Sequence, residues 1–518
     1  MTEPIYDVVV VGAGIIGLST AMALLDRYPK VRLVVLEKDA TTATQQSGHN
    51  SGVIHSGIYY KPGSFKSKFC VEGRRTMAAF CEDNGIPTWR CGKLIVANSK
   101  AEIARLEALH ERGLANQVEG LERVGPDRIN EIEPHVRARE ALWAPNTGIV
   151  DFRKVAAAFA DKVRLAGGEI RFHCALLRAI DRSGHTVLET KSGAIETRHV
   201  INCAGLHSDR VALTMGTDPG LQIIPFRGEY FTLKKDREHL VKGLIYPVPD
   251  PTFPFLGVHL TQTMKGWVEA GPNAVLATQR EGYSRWNFSP RDFSETLAYP
   301  GFWKMLVRDW RTGLWEINRS LRKSVFLASL QALVPELTAQ DLAGAGSGVR
   351  AQAVDRAGNL LDDFRIEQAG RAIHVLNAPS PGATSSLVES STRSTFRRFN
   401  WVFKCCDRRT ASAAKELRTL EELVSSQARR PSSASSTATK PTSGRLCSRG
   451  SVMRNTTRSW RRFAIRSGVS KSSSTRKSET RKTTAPANSS GNPMRPRAML
   501  GCRSGSAEAP LLVGRWGE

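Results

Sequence analysis

Apolar positions in this chain fall into short blocks whose spacing changes several times between Met1 and Glu518. The first block, Tyr6-Asp7-Val8-Val9-Val10-Val11, is a β-branched run of the kind that forms a strand buried on both faces. Ile16 to Leu25 is rich in Ala, Leu and Met and predicts a helix, which Pro29 stops. Val31 to Leu36 predicts a second strand, closed by Glu37. Further on, Ser64 to Asn84 predicts a helix with Phe69, Met77, Phe80 and Cys81 on one side. Gly92 to Ala97 reads as a strand and Lys100 to Asn116 as a charged helix with a solvated face. Ile129 to Pro134 and Ala141 to Asp151 read as short strands and turns. Val155 to Ala166 reads as a helix ended by Gly167-Gly168. Glu169 to Cys174 is a strand, followed by an alternating pair with polar turns at Asp181–His185 and Lys191–Ala194. Val200 to Gly205 is a buried strand running into a glycine turn.

From Gly220 the blocks carry aromatics and prolines, as in Pro225-Phe226-Arg227-Gly228-Glu229-Tyr230-Phe231, and predict an antiparallel sheet in a second domain. Phe293 to Leu330 is mostly helical in pattern. Ile373 to Leu376 is a last strand, and Asn377 to Ser386 reads as a loop of small residues at its end. The resulting fold class is α/β in one part and α+β in the other, with no internal repeats.

Three glycines change this picture. Gly12, Gly14 and Gly17 stand in the spacing G-x-G-x-x-G between the first strand and the first helix. That spacing suits a tight turn, close approach of backbone to a pyrophosphate, and a helix seated close on the sheet. The helix N-terminus points free N–H groups at the phosphates. Glu37 at the end of the second strand can accept from both hydroxyls of an adenosine ribose, and its charge opposes a 2′-phosphorylated cofactor. A second candidate ligand segment, Ser47 to Tyr60, holds Gly48, His49, Asn50, Ser51, Gly52 and His55. It is dense in glycine, small hydroxyls and histidine, and suits backbone laid against a flat ligand.

Charge separates the chain into two regions. The whole carries +25, yet residues 391–518 hold 27 Lys+Arg against 7 Asp+Glu, so the first 390 residues carry only +5. The body is therefore not a nucleic-acid binder by composition. The last 128 residues contain 23 Ser with no sustained apolar period, a composition that cannot bury enough surface to fold. Three readings of this tail stand: a basic arm for nucleic acid or anionic lipid, disorder without a role, or a GC-rich gene read out of frame, which is preferred. The nine cysteines form no C-x-x-C pair and no Cys/His metal spacing, so no metal is expected. The first strand begins at about Tyr6, leaving no room for a leader, and no apolar run approaches the ~20 residues of a membrane span. The expectation is a cytoplasmic protein, with peripheral contact at the inner face of a membrane left open.

Several longer stretches together resemble the D-amino-acid-oxidase-like flavoprotein family, and within it the L-2-hydroxyglutarate oxidase/dehydrogenase group. They are Val11 to Gly17, Gly48 to Tyr60, Pro225 to Tyr230, Tyr246 to Pro251, Leu256 to Thr261, Gly271 to Ala274, Gly348 to Ala353 and Asn377 to Pro381. The resemblance covers residues from about 5 to about 386. At Leu387-Val388-Glu389-Ser390 the chain departs from the helix with which the family closes.

The resemblance implies FAD and a discontinuous Rossmann-like FAD-binding domain, 1–90, 150–215 and 335–386. It implies an antiparallel-sheet substrate domain, 91–149 and 216–334, leaving 387–518 as a disordered or out-of-frame tail. It also implies oxidation of L-2-hydroxyglutarate to 2-oxoglutarate, with electrons passing to quinone or oxygen. A relative acting on glycerol 3-phosphate or an amino acid is the alternative, and a nucleic-acid binder acting through the tail a weaker one. Oxidising a 2-hydroxy acid needs a base titrating near neutrality, for which His259 and His55 are candidates. Two carboxylates need two cationic centres, for which Arg227 and Arg350 are candidates and Lys93 a weaker third. The cofactor candidates are Gly12, Gly14, Gly17, Glu37, Lys38, His49, Asn50, Ser51, Gly52, Gly205, Pro381, Gly382 and Ala383.

Overall fold

The computed structural model describes residues 5–250 and 256–391. Its first strand, β1 (Tyr6–Val11), has every residue buried, as a β-branched run between two covered faces requires. Helix α1 (Ile15–Arg27) follows and ends just before Pro29. The return strand β2 (Leu33–Leu36) pairs parallel to β1, completing a βαβ unit. On the other side of β1 lies the parallel strand Gly193–Asn202, and alongside its last residues, Val200 to Asn202, runs the parallel strand Ala372–Asn377. The hairpin strands Leu176–Arg182 and His185–Thr190 extend this sheet antiparallel.

One face of the sheet is covered by α1, by Phe65–Asp83, by Phe152–Leu165 and by Gly382–Ser391. Leu18, Leu25, Val155, Phe159 and Met77 interdigitate there with under 3 % exposure. Truncating a ring as buried as Phe159 to alanine costs about 3–5 kcal/mol by lost transfer energy plus cavity.

The second sheet is largely antiparallel. Its spine is the 13-residue strand Leu221–Leu233 paired along nearly its whole length with Leu342–Asp355. Lys93–Ala97, Leu244–Pro247, His259–Gln262 and Val268–Gly271 continue it. Helices Pro290–Ala298, Pro300–Leu321 and Lys323–Gln331 follow the strand Val275–Leu276 and fill the stretch expected to be helical.

Four segments differ from the sequence reading. Ile129–Pro134 is not a strand: helix Pro126–Ile132 occupies it, started by proline in its first turn with Asp127 beside the helix N-terminus. Strand Leu342–Asp355 joins the second sheet, although the resemblance implies that 335–386 belongs to the flavin domain. Its register with Leu221–Leu233 leaves it no other partner of that length. The expected loop Asn377–Ser386 is a loop only to Pro381, because Gly382–Ser391 is a helix. Its small residues serve helix packing: Thr384, Ser385 and Ser386 have no exposed surface. Finally, the family's closing helix does form through Leu387 and Val388, and Val388 is buried beside Phe69 and Phe364. The tail expectations for 392–518 lie outside the described residues.

Candidate functional site

The carboxyl ends of β1 and Gly193–Asn202 open onto one cavity of about 840 Å³, whose walls come from both sheets. At its nucleotide end, Gly12 has φ of +106°, a left-handed turn that takes the chain from β1 into α1. A Cβ on Gly17 would stand 1.9 Å from the Gly12 carbonyl oxygen, so only glycine lets the helix sit this close. Gly14, at the helix N-cap, offers no side chain. The Ile15 N–H donates to Ser47 Oγ at 2.9 Å, and Gly14, Ile15 and Ile16 face the cavity.

Glu37 closes β2 with only 7 % exposure. Its carboxylate accepts from the N–H groups of Ala13 at 2.7 Å and Asp39 at 3.0 Å. Burial nevertheless pushes its carboxyl above the usual carboxylate range. Lys38 beside it bonds Asp39 at 2.7 Å and Glu281 at 2.8 Å.

The far end of the cavity collects the candidate chemistry. His259 is 5 % exposed, and its ring stacks on Tyr246 with centroids 3.8 Å apart. Its Nδ1 lies 2.8 Å from the Gly257 carbonyl oxygen, which can only accept. Nδ1 therefore carries the hydrogen, and Nε2 is left as the acceptor. Burial pulls the His259 pKa down to about 3. His55 donates its backbone N–H to Thr384 Oγ1 at 3.2 Å, and its Nε2 is 3.1 Å from Ser380 Oγ. Burial, then Lys93 and His259, hold its imidazole well below the usual value. Arg350 lines the same space, and burial lowers its guanidinium from the ordinary value against the pull of Asp362.

His49 completes this wall. It donates from Nδ1 to the Ser347 carbonyl at 3.3 Å and stacks on Tyr283 at 4.2 Å. Asn50 turns its amide inward, bonding Gln46 O, Ser47 O and the Gly52 N–H, so it holds the loop in shape. Ser51, Gly205, Pro381, Gly382 and Ala383 also line the cavity.

Four of the sequence candidates lie off it. Gly17 packs behind the turn. Gly52 packs against the Val150 carbonyl, to which an added Cβ would approach within 2.6 Å. Arg227 turns away, pairing with Glu229 at 3.2 Å and with Ser284 O at 3.2 Å. Lys93 is 1 % exposed with Nζ 4.0 Å from the Tyr246 ring centroid. The stacked His259 covers one face of that ring, so the ammonium occupies the other. Tyr246, Tyr230, Gln46 and Thr384, none of them a candidate from sequence, also line the cavity. The signal for the tyrosines was there, aromatic hydroxyls in otherwise apolar strands, but it does not separate core from cavity.

The donor set fits a flavin dinucleotide. A cradle free of side chains at Gly12 and Gly14 suits a pyrophosphate, and a carboxylate held at the cavity edge with lone pairs beyond its two N–H bonds suits ribose hydroxyls. The volume lies high in the roughly 300–1,000 Å³ range of ligand sites, and the cavity continues past the nucleotide end to the histidines.

Comparison with known proteins agrees with that fit. A family model described as FAD dependent oxidoreductase matches residues 7–388. The L-2-hydroxyglutarate dehydrogenase of Indibacter alkaliphilus is 47% identical over 383 residues, 74% of this chain and 96% of that protein. The L-2-hydroxyglutarate dehydrogenase of Escherichia coli K12 is 46% identical over 383 residues, 74% of this chain and 90% of its own. Among solved structures, FAD-bound L-alpha-glycerophosphate oxidase from Mycoplasma pneumoniae superposes with a TM-score of 0.63 at 22% identity, covering 77% of this chain and 96% of that one. Glycine oxidase from Geobacillus kaustophilus gives 0.56 at 18%, covering 74% and 92%. At these identities the two solved structures speak to the fold alone.

Proposed function

This chain belongs to the FAD dependent oxidoreductase family, and we propose that it oxidises L-2-hydroxyglutarate to 2-oxoglutarate. The carrying observation is that one cavity joins the dinucleotide elements of β1, α1 and β2 to two neutral histidines and a half-buried arginine. FAD, when bound, supplies the hydride acceptor. Gly12, Gly14 and the first turn of α1 would hold its pyrophosphate, and Glu37 its ribose.

The substrate's hydroxyl proton goes to His259 Nε2, the nitrogen left as acceptor by the bond from Nδ1 to Gly257 O. A dicarboxylate brings negative charge into the cavity and raises the proton affinity of that imidazole from its low value. Arg350 binds one substrate carboxylate. Lys93 contributes positive field from behind Tyr246. His55, bonded to Ser380, orients the substrate from the same end of the cavity. Arg227, tied to Glu229, holds the wall. Electrons pass on to a quinone or to oxygen. For a quinone, the enzyme works in the cytoplasm in peripheral contact with the inner face of the membrane; no helix among the described residues is long and apolar enough to cross one.

The test is the visible spectrum of the purified protein without oxygen. Addition of L-2-hydroxyglutarate bleaches the flavin band. Bleaching by glycerol 3-phosphate or an amino acid instead, with no response to L-2-hydroxyglutarate, overturns the substrate.

A further inference from the structure

Helix Pro300–Leu321 wears its apolar stripe on the outside. A surface helix normally turns that stripe to the core. Here the core side is made by Gly301, Phe302, Met305 and Glu316, all buried. Outward lie Trp303, Val307, Trp310, Leu314, Ile317 and Leu321, between 45 and 75 % exposed. Their spacing of four, three, four, three and four residues is one straight row on an α-helix. Over 22 residues at 1.5 Å rise the helix is about 33 Å long. An exposed apolar row of this extent marks a surface that binds something.

Charge says what. One residue on from three members of the row stand Lys304, Arg308 and Arg311, on the flank beside it. Arg308 pairs with Asp309 at 2.7 Å, and Lys304 donates to a backbone carbonyl, Arg356 O, at 3.2 Å. The helix therefore offers aromatic and aliphatic side chains bordered by cations, along one line. A plane of anionic headgroups over an acyl layer complements both features at once. The tryptophans suit the same boundary, with an apolar ring and a polar N–H.

We propose that helix Pro300–Leu321 seats this protein on an anionic lipid bilayer. Its apolar row enters the acyl boundary, and Lys304, Arg308 and Arg311 meet the headgroup phosphates. The buried side of the same helix touches the site's wall: Glu316 accepts from the Ala274 N–H at 2.9 Å, and Ala274 lines the cavity. Docking on this helix brings the cavity wall towards the bilayer, where a quinone dissolves. The proposal deepens the membrane part of the functional reading and does not depend on the substrate.

The experiment is flotation of the full-length holoprotein with mixed phosphatidylcholine–phosphatidylglycerol vesicles in high salt, where long-range attraction of the basic tail is screened. The wild type floats, and the double variant Trp310→Glu/Leu314→Glu partitions at least about tenfold less. Flavin content and turnover of L-2-hydroxyglutarate with a soluble dye are measured on both proteins. Expected flotation without turnover keeps the docking surface and overturns the substrate. A variant that floats like the wild type overturns the proposal, as does a wild type that stays in solution. A concentration-dependent dimer that the variant dissociates assigns the row to a second copy and also overturns it. Should the variant lose its flavin, hydrogen exchange on the wild type decides. Vesicles slow exchange in peptides from 303–321, and unchanged exchange there overturns the proposal.

Discussion

His259 and His55 share a cavity wall, yet only His259 has its tautomer set by a neighbour that can do nothing but accept. Replacing His259 with Asn removes the base and leaves the stacking surface nearly intact. The expected loss in kcat is about 10²–10⁴-fold, with flavin content unchanged. The same residue makes stability depend on pH. Its folded pKa, about 3, lies below the ordinary value near 6.5, so the unfolded chain binds more protons between the two. Stability therefore falls as pH drops through that window. His55 and His199 act in the same direction. Melting temperatures from pH 7 down to pH 4 show a shallower slope in His259→Asn than in wild type; equal slopes would mean that the ring is not buried neutral. The two arginines separate by their partners. Arg350→Met raises KM for L-2-hydroxyglutarate by about 10–100-fold, the worth of a charge-assisted pair. Arg227→Met leaves KM near wild type and lowers stability by about 1–3 kcal/mol, because it strips Glu229 of its nearer, buried cation and leaves only the more exposed Arg285 at 3.7 Å. If the two variants behave alike, the assignment of roles fails. Lys93 has no carboxylate partner among the described residues, and burial brings its ammonium down to about 7. The unfolded chain keeps that proton to about 10.4, so stability rises with pH between 7 and 10. Lys93→Met abolishes that rise.

Helix Gly382–Ser391 shows how an element is read correctly in part. The run Asn377 to Ser386 was legible as a strand end facing ligand, since a loop of small residues follows a buried strand. It was not legible as a helix start, because Gly, Ser and Thr are poor helix formers and the run contains two prolines. Packing decided it. A Cβ on Gly73 of the neighbouring helix would stand 2.5 Å from the Thr384 carbonyl, so the two backbones touch through glycine. Gly73→Ala therefore pushes Gly382–Ser391 off Phe65–Asp83, at a cost of about 1–3 kcal/mol from overpacking. The loop before it, which carries Pro381 into the cavity, moves with it, and the flavin-to-protein ratio falls. An unchanged ratio would show that this helix does not support the cofactor site. The βαβ unit was legible throughout because propensity, glycine spacing and the terminal acid agree there. The sheet to which Leu342–Asp355 belongs is not legible, for the opposite reason. Its sequence reads as a strand in either layer, and only the register with Leu221–Leu233, fixed over a separation of more than a hundred residues, selects the second sheet.

At the scale of the whole molecule, the cavity exists only while the two sheets keep their relative position, and a buried ion pair crosses that junction. Asp209 begins the helix that follows strand Gly193–Asn202, and Arg280 lies just past the strand Val275–Leu276 of the second sheet. Their side chains form a two-pronged pair, each 3 % exposed, and Arg280 also donates to Leu206 O at 2.7 Å. The Asp209 Oδ2 in turn accepts from the Ile223 N–H at 2.9 Å, so the carboxylate ties three segments together. Next to it, Glu281 bonds both Lys38 and His207, carrying the same junction to the nucleotide end of the cavity. Replacing such a pair with apolar groups can be neutral, but removing one member strands the other charge in the interior, at about 3–5 kcal/mol. Arg280→Met is therefore expected to lower stability by that amount and to shed flavin before the sheets themselves melt, since the junction opens first. Arg356 and Asp218 provide the control, an ion pair whose side chains are 66 % and 58 % exposed. Arg356→Met changes stability by well under ~1 kcal/mol, because water already solvates both charges. Flavin release followed by its fluorescence, against loss of helix followed by circular dichroism, separates the two events during heating. If release and unfolding coincide in Arg280→Met as they do in Arg356→Met, the pair is a local core contact and the cavity is held together elsewhere.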